Sequence, residues 1–101
     1  MTQQKADHYG ETRCALEFYA SGGVPSEAAL AKATQIDDWF VVYTDAPAWH
    51  GMRRVMAIEG QMFSEAHPTR IDASTGPVLW LDRKLRFAYC AGTLYRLLKR
   101  H

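Results

Sequence analysis

The sequence predicts an α+β domain: two short N-terminal helices followed by a small, strongly curved antiparallel sheet, or SH3-like partial barrel, of about five strands. Three observations predict it. Apolar side chains in residues 4–20 recur every three or four positions, the period changes to two from Asp38 onward, and glycine, proline and polar clusters cut the rest of the chain into short segments. A sheet of about five short strands tends to close on itself.

In residues 4–20, Tyr9, Thr12, Leu16 and Tyr19 share one helical face, and Lys5, Asp7, Glu11, Arg13 and Glu17 fall mostly elsewhere. Gly10 weakens this helix by about 1 kcal/mol relative to alanine. Gly22 and Gly23 stop it, because a helix C-terminus often needs a left-handed residue. Pro25 and Ser26 then open a second helix, SEAALAKA. There Ser26 can cap the free amides and Glu27 meets the positive end of the dipole. Ala28, Leu30 and Ala31 give it small apolar contacts, so it clips onto the core without forming it.

DWFVVY places Trp39, Val41 and Tyr43 on one face of a strand and Phe40 and Val42 on the other. TDAPAWHG is a loop, broken by Pro47 and Gly51. RRVMAIEGQMF is a second strand in which Gly60 suggests a bulge or bend, and SEAHPTR is a turn kept extended before Pro68. A short IDA segment, the STGP loop, the strand VLWL, a DRK turn and the strand LRFAYC come next. A period of two in LRFAYC puts Leu85, Phe87 and Tyr89 on one face and Arg86, Ala88 and Cys90 on the other. TLYRLLKR fits a strand and a helix alike, since Leu94, Leu97 and Leu98 also make a helical stripe. The expected core is Trp39, Val41, Ile58, Leu79, Leu81, Phe87 and Leu97.

A chain of 101 residues is one modest domain, with residues 1–36 its helical part and 37–101 its mainly β part. No apolar run approaches the ~20 residues that span a bilayer, and MTQQKADHYGE lacks the apolar stretch of a signal peptide, so a cytoplasmic protein without a membrane role is expected. Cys14 and Cys90 lie outside any redox motif and are read as small buried hydrophobes with no disulfide. The net charge of +1 conceals a segregation. Residues 1–50 carry three Lys or Arg against seven carboxylates, and residues 51–101 carry nine cations against four. Such a division can steer a charged partner, or it can draw the two halves of the fold together.

ALEFYASGGVPSEAALAKATQIDDWFVV is similar to the opening of a family of small uncharacterised proteobacterial proteins: a helix ending in glycine, a proline-initiated short helix and a tryptophan at the start of the sheet. EGQMFSEAHPTRIDASTGPVLWLD and GTLYRLL resemble that family and a broader set of small phage and prophage proteins. The matching positions are Gly60, His67, Pro68, Ser74, Thr75, Asp82, Tyr95 and Leu97. Alanine stands at position 66 where that pattern has glycine, and Ser74-Thr75 reverses its order. The resemblance implies a small barrel and a mobile-element setting, without an activity.

The chain offers little for catalysis. His8, His50, His67 and His101 show neither the spacing of zinc ligands nor a nearby cysteine pair, so no metal or other cofactor is expected. His67 before proline is read as shaping its turn. Cys90 has only Arg86 and His67 as imaginable neighbours, and is read as a structural thiol. Asp37 and Asp38 are read as solvating the connection from helix to strand, and Gly22-Gly23 lacks the lysine of a phosphate loop.

The segment VLWLDRKLRFAYCAGTLYRLLKRH sets six cations against one carboxylate, Asp82. Arg83, Lys84, Arg86, Arg96, Lys99 and Arg100, with Tyr95, are therefore the candidate partner-binding residues. Cations beside Trp80, Phe87, Tyr89 and Tyr95 could track phosphates while a ring stacks a base; the plainer alternative is a core of rings with a solvated cationic rim. The expected protein is a non-catalytic binding module that occupies an anionic surface of a larger protein or nucleoprotein complex, as monomer or homodimer. In a phage setting it would inhibit a host complex such as a nucleic-acid-guided defence machine. A small nucleic-acid-binding regulator is the alternative, and an enzyme the third choice.

Overall fold

A computed structural model describes residues 2–45 and 54–101. The loop expected around Pro47, His50 and Gly51 lies outside them, as do the side chains of His8 and Tyr9. The chain runs α1 (Thr2–Ala20), α2 (Glu27–Lys32), β1 (Thr34–Asp45), β2 (Arg54–Phe63), β3 (Ile71–Ser74), β4 (Val78–Leu81), β5 (Phe87–Cys90) and β6 (Thr93–Leu97). The helix signals act as expected. Gly22, at φ 96°, gives its N–H to the Tyr19 carbonyl while Gly23 gives its own to Phe18, a Schellman ending for α1. Ser26 accepts a hydrogen bond from the Ala29 N–H and so caps α2.

Among the described residues the sheet has six strands in the order β3-β2-β1-β6-β5-β4, and it is mixed. Two antiparallel meanders, β1-β2-β3 and β4-β5-β6, meet where β6 runs parallel to β1, Thr34 opposite Tyr95 and Ile36 opposite Leu97. This corrects the expectation of an antiparallel sheet of five strands. The reason is the link between β3 and β4, which carries the chain across and not back, so the second meander finishes in the direction in which β1 began. Those two strands lie at opposite edges, about 24 Å apart in a flat sheet at ~4.8 Å per strand, while the four steps from Ser74 to Val78 reach about 14 Å at most. The sheet must therefore curl. Thr75 carries the β2–β3 pairing one residue into the link by giving its N–H to the Ile58 carbonyl at 2.9 Å and accepting the Ile58 N–H on its hydroxyl at 3.0 Å. No ladder joins β3 to β4, so the sheet stays open.

The inside of the curl is the core: Ile36, Trp39, Ile58, Met62, Ala88 and Leu97, with Val41, Val78, Leu81 and Tyr95 against it. The helices lie on the outside of the second meander. Tyr19 of α1 packs at a tilt against Phe87 and Tyr89 with ring centroids 5.1 and 5.6 Å away, so β5 is covered on both faces, by α1 over Phe87 and Tyr89 and by the core under Ala88. Among the described residues no helix is long and apolar enough to cross a membrane.

Two strands break their period of two. β1 starts at Thr34, four residues before the expected start, and bulges between Asp37 and Phe40, with Asp38 at φ 54°. The extra residue lets Ile36 and Trp39, three apart, both face inward. The bend foreseen at Gly60 thus belongs to β1, opposite it. β4 slips between Val78 and Trp80, so Val78 and Leu81 point in and Leu79, placed in the core by its spacing, is 43% exposed. The final segment is a strand, held by ladders to β5 and β1.

Candidate binding surface

The cationic surface builds up from the link between β4 and β5. Asp82 follows β4 directly, is buried, and holds the turn there. Its carboxylate accepts the Arg86 N–H at 3.0 Å, Arg86 Nε at 2.7 Å and Arg86 Nη2 at 3.2 Å, while the Asp82 carbonyl accepts the Leu85 N–H at 2.9 Å. Leu85 takes the left-handed conformation, φ 59°, and packs inward, so the strand read from Leu85 begins only at Phe87. The Arg86 guanidinium lowers the Asp82 carboxyl below the usual carboxylate range, against the opposing effect of burial. Arg86 is consequently spent inside the turn. Arg83 and Lys84 stand exposed at its tip, with no carboxylate within ion-pair distance among the described residues.

Across from this tip lies the Schellman turn of α1. The two turns enclose a groove of about 380 Å³, with residues 19–24 on one wall and Trp80, Asp82, Arg83, Lys84 and Arg86 on the other. The α1 wall needs no help with its last carbonyls, since Glu17, Phe18 and Tyr19 already accept from Ser21, Gly23 and Gly22. The two cations do sit at the negative end of a helix that has no basic residue in its own last turn.

The remaining candidates lie elsewhere. The Leu97 N–H bonds to the Arg86 carbonyl, which brings the turn to the end of the sheet where Lys99 and Arg100 emerge. Those two residues form a strap along the β1 bulge. Lys99 gives its N–H to Asp37 Oδ1, its carbonyl accepts the Trp39 N–H, and the Arg100 guanidinium lies 5.4 Å from the Trp39 ring centre. Arg96 faces outward on β6 opposite Phe87. Tyr95 points inward, half-buried against the core, and that burial raises its phenol pKa. The rings expected to accompany the cations are mostly core: Phe87 and Tyr89 are buried, and Trp80 is half-buried.

A second groove, about 460 Å³, has no counterpart among the sequence-based expectations. It is lined by Asp38, Phe40, Glu59, Gln61, Asp72 and His101, among others. Asp37 and Asp38, expected in a helix-to-strand connection, instead occupy the β1 bulge. Arg70 Nη1 reaches Asp37 Oδ2 at 2.6 Å and holds that carboxyl below its ordinary range, and His101 Nδ1 lies 2.9 Å from Asp38 Oδ1. The signal that could have found them is the three-residue step from Ile36 to Trp39.

Among the described residues no three His, Cys, Asp or Glu side chains converge as metal ligands would. The neighbours of Cys90 are Thr75 and Gly76, not Arg86 or His67, and burial raises its thiol pKa. Cys14, expected in the core, is exposed on α1. The His67 N–H and carbonyl both bond to Ser64, closing the turn before Pro68. Compared with family models, curated proteins and solved structures, the chain matches none.

Proposed function

We propose that this chain is a non-catalytic binding module that docks an anionic surface of a larger macromolecular complex through the groove between the α1 ending and the β4–β5 turn. One observation carries the reading: Arg83 and Lys84 project freely from a turn that Asp82 and Arg86 make stiff. A preset turn spares the backbone ordering that a flexible loop undergoes when a partner arrives, and charge complementarity speeds encounter and fixes orientation. In the mobile-element setting that the resemblance implies, the action is inhibition of a host complex, such as a nucleic-acid-guided defence machine.

Affinity capture from bacterial lysate tests the reading. The immobilised chain is compared with its Arg83→Glu/Lys84→Glu variant, with and without nuclease. A component that binds the parent, survives nuclease and is lost from the folded variant is the expected outcome. Recovery of the same components by parent and variant would refute it.

A further inference from the structure

We infer that the ligand seated in the basic groove is a short acidic segment of a protein, with an apolar residue beside its carboxylates, and not a nucleic-acid strand. This rests on the groove being the docking surface and names its partner class. A single strand of nucleic acid needs cations along several phosphates and exposed rings beside them. Here the groove offers little of either, since the rings that line it, Tyr19 and Trp80, are each half-buried. Among the described residues only Arg83 and Lys84 are cations of this groove without an ion-pair partner, since Arg86 is held by Asp82. The exposed rings of the sheet, Phe40 and Tyr43, lie on β1, and Phe40 shares the other groove with Asp38, Glu59 and Asp72.

A polyanion leaving Arg83 and Lys84 would follow Lys99 and Arg100 to the β1 bulge and there meet Glu59 and Asp72, which, unlike Asp37 beside Arg70 and Asp38 beside His101, have no ion-pair partner among the described residues. Like charges at close range repel it. A short acidic peptide meets none of them. The groove, about 380 Å³, is at the small end of ligand sites, which run from ~300 to ~1,000 Å³. Its α1 wall presents Val24, exposed, as an apolar contact opposite the two cations.

Fluorescence anisotropy with two labelled probes decides the matter: a peptide of alternating glutamate and serine with a central leucine, and an oligo(dT) of equal net charge. Each is titrated with the parent, with Arg83→Glu/Lys84→Glu and with Glu59→Lys/Asp72→Lys, at low and physiological salt. The peptide is expected to bind at least tenfold more tightly than oligo(dT), to weaken tenfold or more with the reversed turn, and to be unaffected by Glu59→Lys/Asp72→Lys. If oligo(dT) binds the parent more tightly, gains affinity from Glu59→Lys/Asp72→Lys and loses it with the reversed turn, the groove is a nucleic-acid site: the inference falls and the groove stands as the docking surface. If neither probe distinguishes the parent from the folded Arg83→Glu/Lys84→Glu variant, both fall.

Discussion

Asp82 and Arg86 close the β4–β5 turn on itself: one carboxylate oxygen of Asp82 accepts both the backbone N–H of Arg86 and its Nε, at 3.0 and 2.7 Å. The Asp82 side chain is almost wholly buried while the Arg86 side chain is 47% exposed, so the backbone bond should outweigh the solvent-screened ion pair. Asp82→Ala should therefore cost about 1 to 2 kcal/mol, a fall in Tm of roughly 4 to 16 °C for a domain of this size. The effect depends on pH. The folded Asp82 carboxyl titrates below its unfolded value, so its contribution is complete above about pH 4 to 5 and is lost as pH falls through the folded value. Thermal melts from pH 7 down to pH 2 should show parent and Asp82→Ala converging in acid; a gap that stays constant would disprove the linkage.

Gly60 faces the β1 bulge with no room for a side chain. A Cβ there would stand 2.7 Å from Ile36 Cγ2, 2.8 Å from the Asp37 carbonyl oxygen and 3.0 Å from Trp39 Cα. Two of the three are backbone and cannot swing aside, so Gly60→Ala should destabilise by about 1 to 3 kcal/mol. Gly10 has open space around it, and Gly10→Ala in the middle of α1 should stabilise by up to about 1 kcal/mol. Urea melts of the two variants should move in opposite directions.

The two thiols should separate cleanly in a labelling experiment. Cys14 is exposed on α1, while Cys90 is buried beside Gly76 with its thiol pKa raised by desolvation. Near neutral pH a thiol reagent should modify one cysteine quickly and the second only on unfolding, and Cys14→Ser should remove the fast phase. Two fast thiols in the native chain would contradict the placement of Cys90.

What the sequence reveals here is what short-range chemistry decides. Gly22 and Ser26 act through neighbours three or four residues away, and both read correctly; of the helical stripe, Thr12 and Tyr19 do meet the sheet, at Tyr89 and Phe87. The final segment satisfies two periods at once, and its ladders to β5 and β1 choose between them. The parallel pairing of β1 with β6 depends on where the link through Thr75 lands, a long-range outcome that no local pattern encodes. At the candidate site the cations are visible as a composition, but Arg86 looks like Arg83 and Lys84 until the turn folds it onto Asp82. Reversing all three to glutamate would mix a binding test with a broken turn, so the informative variant leaves Arg86 alone.

Trp39 and Leu79 both belong to the core by their spacing, and they separate the two bulges by their effect. In β1 the bulge turns Trp39 inward, 1% exposed, with its indole N–H donating to the Leu98 carbonyl at 3.3 Å and the Arg100 guanidinium over its ring. In β4 the slip turns Leu79 outward. Trp39→Ala should cost about 3 to 5 kcal/mol, from lost burial and from the cavity left among Ile36, Ile58 and Leu97. Against a total of roughly 5 to 15 kcal/mol for a domain, that leaves the chain near or past its unfolding limit at 37 °C. Leu79→Ala, by contrast, should stay within about 0.5 kcal/mol of the parent, as surface substitutions do. Paired denaturant melts give the comparison, and a Leu79→Ala loss approaching that of Trp39→Ala would mean that β4 keeps the regular register and the bulge is misplaced.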